Sequence, residues 1–139
     1  MMKKLLILSF LILASCSSKV DKNQLHLLNG YWEIKEVTFK DGAKKEYSIN
    51  STVDYIQLDF LTGFRKKVDP KFNGTFETSN DAEPFRIRIS HDSIFMSYNN
   101  NSNTWEEVLT KLSEESFSVK NKDGLIYQYN RFEPINITR

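Results

Sequence analysis

The feature that most constrains this chain is a succession of short segments in which apolar and polar residues alternate, with no long helical period between them. In residues 85–90, Phe85, Ile87 and Ile89 face one way and Arg86, Arg88 and Ser90 the other, the signature of a strand with one buried face. The same pattern, rich in aromatic and β-branched residues, predicts strands at 31–39, 53–60, 64–68, 72–78, 93–99, 104–112, 116–121 and 125–133. Turn residues punctuate them: Lys40-Asp41-Gly42, Thr62-Gly63, the run from Asn99 to Asn103, and Lys122-Asp123-Gly124. Pro134 ends the last. Eight or nine strands joined by short connections make an antiparallel meander. Without helices to cover its edges, such a sheet is best protected by closing on itself, so an all-β, up-and-down barrel is expected. A two-sheet sandwich satisfies the same pattern.

Composition narrows the chemistry. Cys16 is the only cysteine, so no disulfide and no second thiolate are available, and stability has to come from a packed core. His26 and His91 are remote from each other and offer no metal-ligand spacing. His91-Asp92-Ser93 has the letters of a hydrolase triad, but adjacent residues cannot take up triad geometry. Nineteen basic against 18 acidic side chains give no footprint for nucleic acid. The expectation is a non-catalytic protein without metal or cofactor.

The N-terminus points to export. Lys3 and Lys4 precede an apolar run over residues 5–14 broken only by Ser9, the layout of a signal segment. At 1.5 Å per residue the run reaches only about half of a roughly 30 Å hydrocarbon core, too short for a span. Leu13-Ala14-Ser15-Cys16 resembles the lipoprotein signal of Leu, two small residues and Cys. That resemblance implies cleavage before Cys16 and its acylation. The chain then divides into a signal peptide (1–15), a lipidated cysteine with a polar tether (16–24) and one domain (25–139). Cleavage removes Lys3 and Lys4, leaving 17 basic against 18 acidic side chains. In lipoproteins of Gram-negative bacteria an aspartate after the lipidated cysteine retains the protein in the inner membrane. Ser17 stands there instead, which implies an outer-membrane lipoprotein held by the lipid anchor at Cys16, and residues 17–22, mainly neutral to basic, lack the acidic patch of surface display, which implies a periplasm-facing orientation.

Gly30-Tyr31-Trp32, opening the first strand after a short amphipathic segment, resembles the lipocalin G-x-W signature, and the likeness extends over about residues 24–133. It implies a calycin-type barrel with a short N-terminal helical turn plugging one end, Trp32 lying across the plug, and a late arginine over the indole. Arg131 occupies the matching place. A guanidinium on an indole gains about 0.5–2 kcal/mol and would fasten first strand to last. The barrel is short, so its cavity is expected to be small or filled by side chains.

Two functions fit such a domain. In one, the inward face binds a fatty acid or other small hydrophobic ligand, with Phe76, Ile87, Met96, Tyr98, Trp105 and Tyr127 as candidate lining; the same residues would equally build a ligand-free core. Tyr98 and Trp105 flank the Asn-rich turn and combine apolar bodies with hydrogen-bonding tips. Glu107 shares the inward face with Trp105, as a ligand-orienting group or an interior ion-pair partner. In the other, the barrel is solid and serves as an interaction or scaffolding module for an envelope protein. Arg86 and Arg88, or the run Arg65-Lys66-Lys67, would then meet an acidic partner or anionic head groups, unless they form a solvated edge.

Overall fold

The computed structural model describes residues 19–78 and 80–133. Cys16, the signal segment before it and Pro134 lie outside the described residues. Among the described residues ten strands follow one short helix: β1 (Gly30–Thr38), β2 (Lys44–Glu46), β3 (Val53–Asp59), β4 (Thr62–Pro70), β5 (Phe76–Thr78), β6 (Glu83–Ser90), β7 (Ser93–Asn99), β8 (Thr104–Leu112), β9 (Ser116–Lys120) and β10 (Ile126–Arg131). Eight of them form one antiparallel ring in the order β1, β3, β4, β6, β7, β8, β9, β10, and β10 pairs back onto β1. The sandwich alternative is thereby excluded: a single sheet closes on itself. The closing seam sets Trp32 opposite Arg131 and Ile34 opposite Tyr129.

β2 and β5 stand off the ring, on β1 and β4 respectively. β2 is fully exposed, Lys-Lys-Glu, and has no apolar alternation by which sequence could reveal it. The strand expected over 72–78 shrinks to three residues, because Gly74 takes a positive φ and Thr75 N–H bonds to Asn73 Oδ1, so Asn73-Gly74 makes a turn rather than strand interior. Phe60, expected to end the strand over 53–60, is instead 86% exposed at φ +57 in the β3–β4 turn.

One end of the ring is closed by a 3-10 helix, Lys22–Leu28. Asp21 caps it, accepting from Asn23 N–H at 2.8 Å, which satisfies an orphan donor of the first turn. Lys22, Asn23 and Gln24, read from sequence as tether, form its first turn, and Val20 already packs on the core. Leu25 and Leu28 point inward, where they meet Trp32, Ile56, Phe85, Ile87, Met96, Leu109 and Phe117. The Trp32 and Phe117 rings meet edge to face at 4.7 Å, and burying each such side chain contributes about 1.5–3 kcal/mol.

The Gly30-Tyr31-Trp32 motif has a structural explanation. Trp32 Nε1 donates to Leu28 O at 2.8 Å, so the indole both fills the barrel floor and holds the helix. Arg131 lies over it, with the guanidinium carbon 4.1 Å from the ring. Arg131 also donates to Asn29 O at 2.9 Å and Leu27 O at 2.7 Å, satisfying carbonyls at the helix end, and to Glu114 O in the β8–β9 turn. Gly30 sits at φ +123, and a Cβ there would come 2.6 Å from Arg131 Nη1. Glycine is therefore needed both for the backbone conformation and to admit the arginine.

Candidate functional site

Alternation carries the inward face past the floor, but its chemistry changes. On β3 the inward series Leu58, Ile56 ends in Asp54; on β4 it continues as Arg65 and Lys67, which pair in register with Ile56 and Asp54. On β6, β7 and β8 the corresponding residues are Glu83, Tyr98, Trp105 and Glu107, and on β10 Tyr127 and Tyr129. These groups surround a cavity of about 510 Å³, with Asp81 and Asn121 from the adjoining loops. It opens to solvent past Trp105, which is 36% exposed.

An ion cluster builds the cavity floor. Asp54 is buried, and its carboxylate takes Arg65 Nη2 at 2.7 Å and Lys67 Nζ at 2.6 Å. Arg65 extends Nη1 toward the Tyr98 hydroxyl at 3.4 Å and stacks on the Tyr129 ring at 4.7 Å. Burial opposes the charge on Asp54, but the fields and hydrogen bonds of Arg65 and Lys67 outweigh it and hold the carboxyl below its usual range. Burial pushes the Tyr129 hydroxyl up to about 12 and raises Tyr98 as well, with Arg65 partly opposing both. Glu107 is raised by burial, partly offset by Arg65. Its carboxyl makes no hydrogen bond or salt bridge with any described residue.

The sequence-derived candidates separate cleanly. Tyr98, Trp105 and Tyr127 line the cavity, and the Tyr98 and Trp105 rings stack at 4.9 Å, within 4° of parallel. Ile87 and Met96 belong to the filled half, buried in the hydrophobic core, and do not reach the cavity. Phe76 is a correction: it lies outside the barrel on β5, stacked 4.1 Å from Tyr31, because β5 leaves the ring. Gly30, Trp32 and Arg131 form the closure described above.

Asp54, Arg65, Lys67 and Tyr129 were not among the lining residues expected from the sequence. Arg65-Lys66-Lys67 reads as one exposed basic run, yet its outer members point inward and Lys66 lies outside, 6.0 Å from the Tyr55 ring. The available signal was Asp54, alternating with Ile56 and Leu58 on a buried face. Arg88 faces outward and pairs with Glu106, which also accepts from Ser97. That pairing occupies the charge beside a broader, shallower depression of about 750 Å³ on the outer face of β4, β6, β7 and β8.

Among the described residues no group of three His, Cys, Asp or Glu could hold a metal ion, and no helix is long and apolar enough to cross a membrane. Two solved structures are similar to this chain. One is a lipocalin-like protein from Bacteroides uniformis ATCC 8492, with 12% identity, TM-score 0.47, and coverage of 76% of this chain and 99% of that one. The other is an uncharacterized protein from Bacteroides eggerthii DSM 20697, with 12% identity, TM-score 0.46 and the same coverage. No curated protein matches the sequence. The family model for the lipocalin-like domain matches residues 28–133, a span running from the end of the plug to the end of the closing strand. This chain belongs to the lipocalin-like domain family.

Proposed function

We propose that this protein is a membrane-anchored, outer-membrane lipoprotein whose barrel binds a small, predominantly hydrophobic ligand without catalysing a reaction. The observation that carries the binding reading is the one-ended cavity. Its volume of about 510 Å³ lies within the ~300–1,000 Å³ usual for ligand sites, and four rings, Tyr98, Trp105, Tyr127 and Tyr129, wall it. The anchoring rests on sequence, on Leu13-Ala14-Ser15-Cys16. A non-catalytic role is supported by the ion cluster, where Asp54, Arg65 and Lys67 bind one another. Trp32, Met96 and Phe117 fill the space below, so a compact ligand with a ring suits the cavity better than a long acyl chain.

Native mass spectrometry of the full chain carrying Cys16→Ala, purified from its own host, tests this reading. It should show a co-purifying adduct of a few hundred daltons that is lost on Trp105→Ala. A second reading, an envelope-protein interaction module, is favoured by an aromatic cluster outside the barrel. Tyr31 stacks on Phe76 and contacts Tyr55 at 4.9 Å, and Phe76 meets Phe132 at 6.3 Å. Absence of any adduct, with Trp105 fluorescence insensitive to hydrophobic compounds, would favour it.

A further inference from the structure

The charges around the cavity are not equivalent, and their connections discriminate between ligand types. β3 contributes Asp54, β4 Arg65 and Lys67, the loop before β6 Asp81, β6 Glu83 and β8 Glu107. Both inward cations are held by one carboxylate: Arg65 and Lys67 bracket Asp54 at 2.7 and 2.6 Å, and the remaining face of Arg65 lies against Tyr129. An entering anion would have to displace Asp54 from these donors while facing Asp81, Glu83 and Glu107. Glu83 already accepts from Asn100 Nδ2 at 3.1 Å. Glu107, half-buried, differs from both Asp54 and Glu83 in having no hydrogen-bond donor among the described residues. It stands two residues from Trp105 on the same inward face of β8.

A half-buried carboxylate without a protein donor, next to partly exposed π faces at the mouth of a cavity, is what an ammonium requires. The ring faces attract the cation, and the carboxylate neutralises it through a charge-assisted hydrogen bond. We propose that the open half of the barrel selects a small organic cation, a ring-bearing ammonium, with its ammonium on Glu107 and its ring against Trp105 and Tyr127. This rests on the reading of the cavity as a ligand site and adds the charge of the ligand. Arg65 opposes the incoming cation, but Asp54 holds Arg65 in place, and the lining carries four carboxyls against the two inward cations Arg65 and Lys67. Because burial favours the neutral form of Glu107, a bound ammonium draws the carboxyl toward ionisation, and binding tightens as pH rises through its titration.

Three probes of one shape test the proposal on the full chain carrying Cys16→Ala: 2-naphthylethylammonium, 2-naphthylethanol and 2-naphthylacetate, measured by isothermal titration calorimetry. The ammonium should bind at least about tenfold more tightly than either of the others. Glu107→Gln should erase that preference and its pH dependence, and Trp105→Leu should weaken all three. If the alcohol or the carboxylate binds as tightly as the ammonium, or if Glu107→Gln keeps the preference, the cation assignment is overturned and the ligand site stands. If none of the three binds while the fold is intact by circular dichroism, the ligand site falls too.

Discussion

The two halves of the barrel interior share the same strands and the same alternation, yet they solve opposite problems. In the half next to the helix, Trp32, Ile56, Met96 and Phe117 are fully buried and leave no space. In the other, the inward positions of the same β3 and β4 carry Asp54, Arg65 and Lys67, and a cavity remains. Apolar burial in the first half provides stability to hold the second half open, where charges and hydroxyls would otherwise favour water. A strand of seven to nine residues is long enough to do both.

If this division holds, the largest losses come from the filled half. Trp32→Ala should destabilise the protein by about 3–5 kcal/mol in urea unfolding, since it removes the floor, the bond to Leu28 O and the platform for Arg131 together. A cost under about 1 kcal/mol would erase the distinction between the halves. In the open half, Arg65→Ala should cost about 3 kcal/mol by leaving Asp54 buried with Lys67 alone, whereas Asp54→Leu with Arg65→Met should be near neutral. That contrast sharpens the comparison, because a double variant that behaves like the single one would mean the ion cluster supports the fold rather than the cavity.

At the seam between first and last strands, Arg131→Ala should cost about 1–3 kcal/mol through lost stacking and lost bonds to the helix-end carbonyls. A neutral result would mean that strand pairing alone closes the ring. The smallest effect belongs to Glu107. Its folded pKa is raised, so the stability from its neutral form is complete below the ordinary glutamate value near ~4.3 and is lost as pH rises through the folded value. Asp54 runs the other way: its pKa is lowered, so its contribution is present above the ordinary aspartate value and disappears as pH falls through the folded one. Thermal unfolding of Glu107→Gln should therefore lose the decline on the alkaline side of ~4.3 and keep the acid-side decline from Asp54.

The filled half was legible in the sequence and the cavity only in part. Alternation in residues 85–90, the Gly30-Tyr31-Trp32 motif and the position of Arg131 gave the ring, its floor and its closure, because each is local or anchored to a conformational requirement. The ion cluster was hidden because inward and outward cations adjoin in Arg65-Lys66-Lys67, and only the register of β4 against β3 separates them. Phe76 was misplaced for a related reason: alternation tells which face a residue occupies, but not whether its strand belongs to the ring. β2 carries no apolar residue at all, so its three backbone pairings with β1 have no signal in the side chains.

The chain has two tryptophans, one in each half, and their indole N–H signals give the most direct test of the division. On adding 2-naphthylethylammonium to the 15N-labelled chain, the Trp105 indole resonance should shift with ligand concentration. The Trp32 resonance, from an N–H bonded to Leu28 O under the packed floor, should stay in place and exchange slowly with solvent. Movement of Trp32 with Trp105 unmoved, or no change in either, would contradict a barrel divided into a solid half and a binding half.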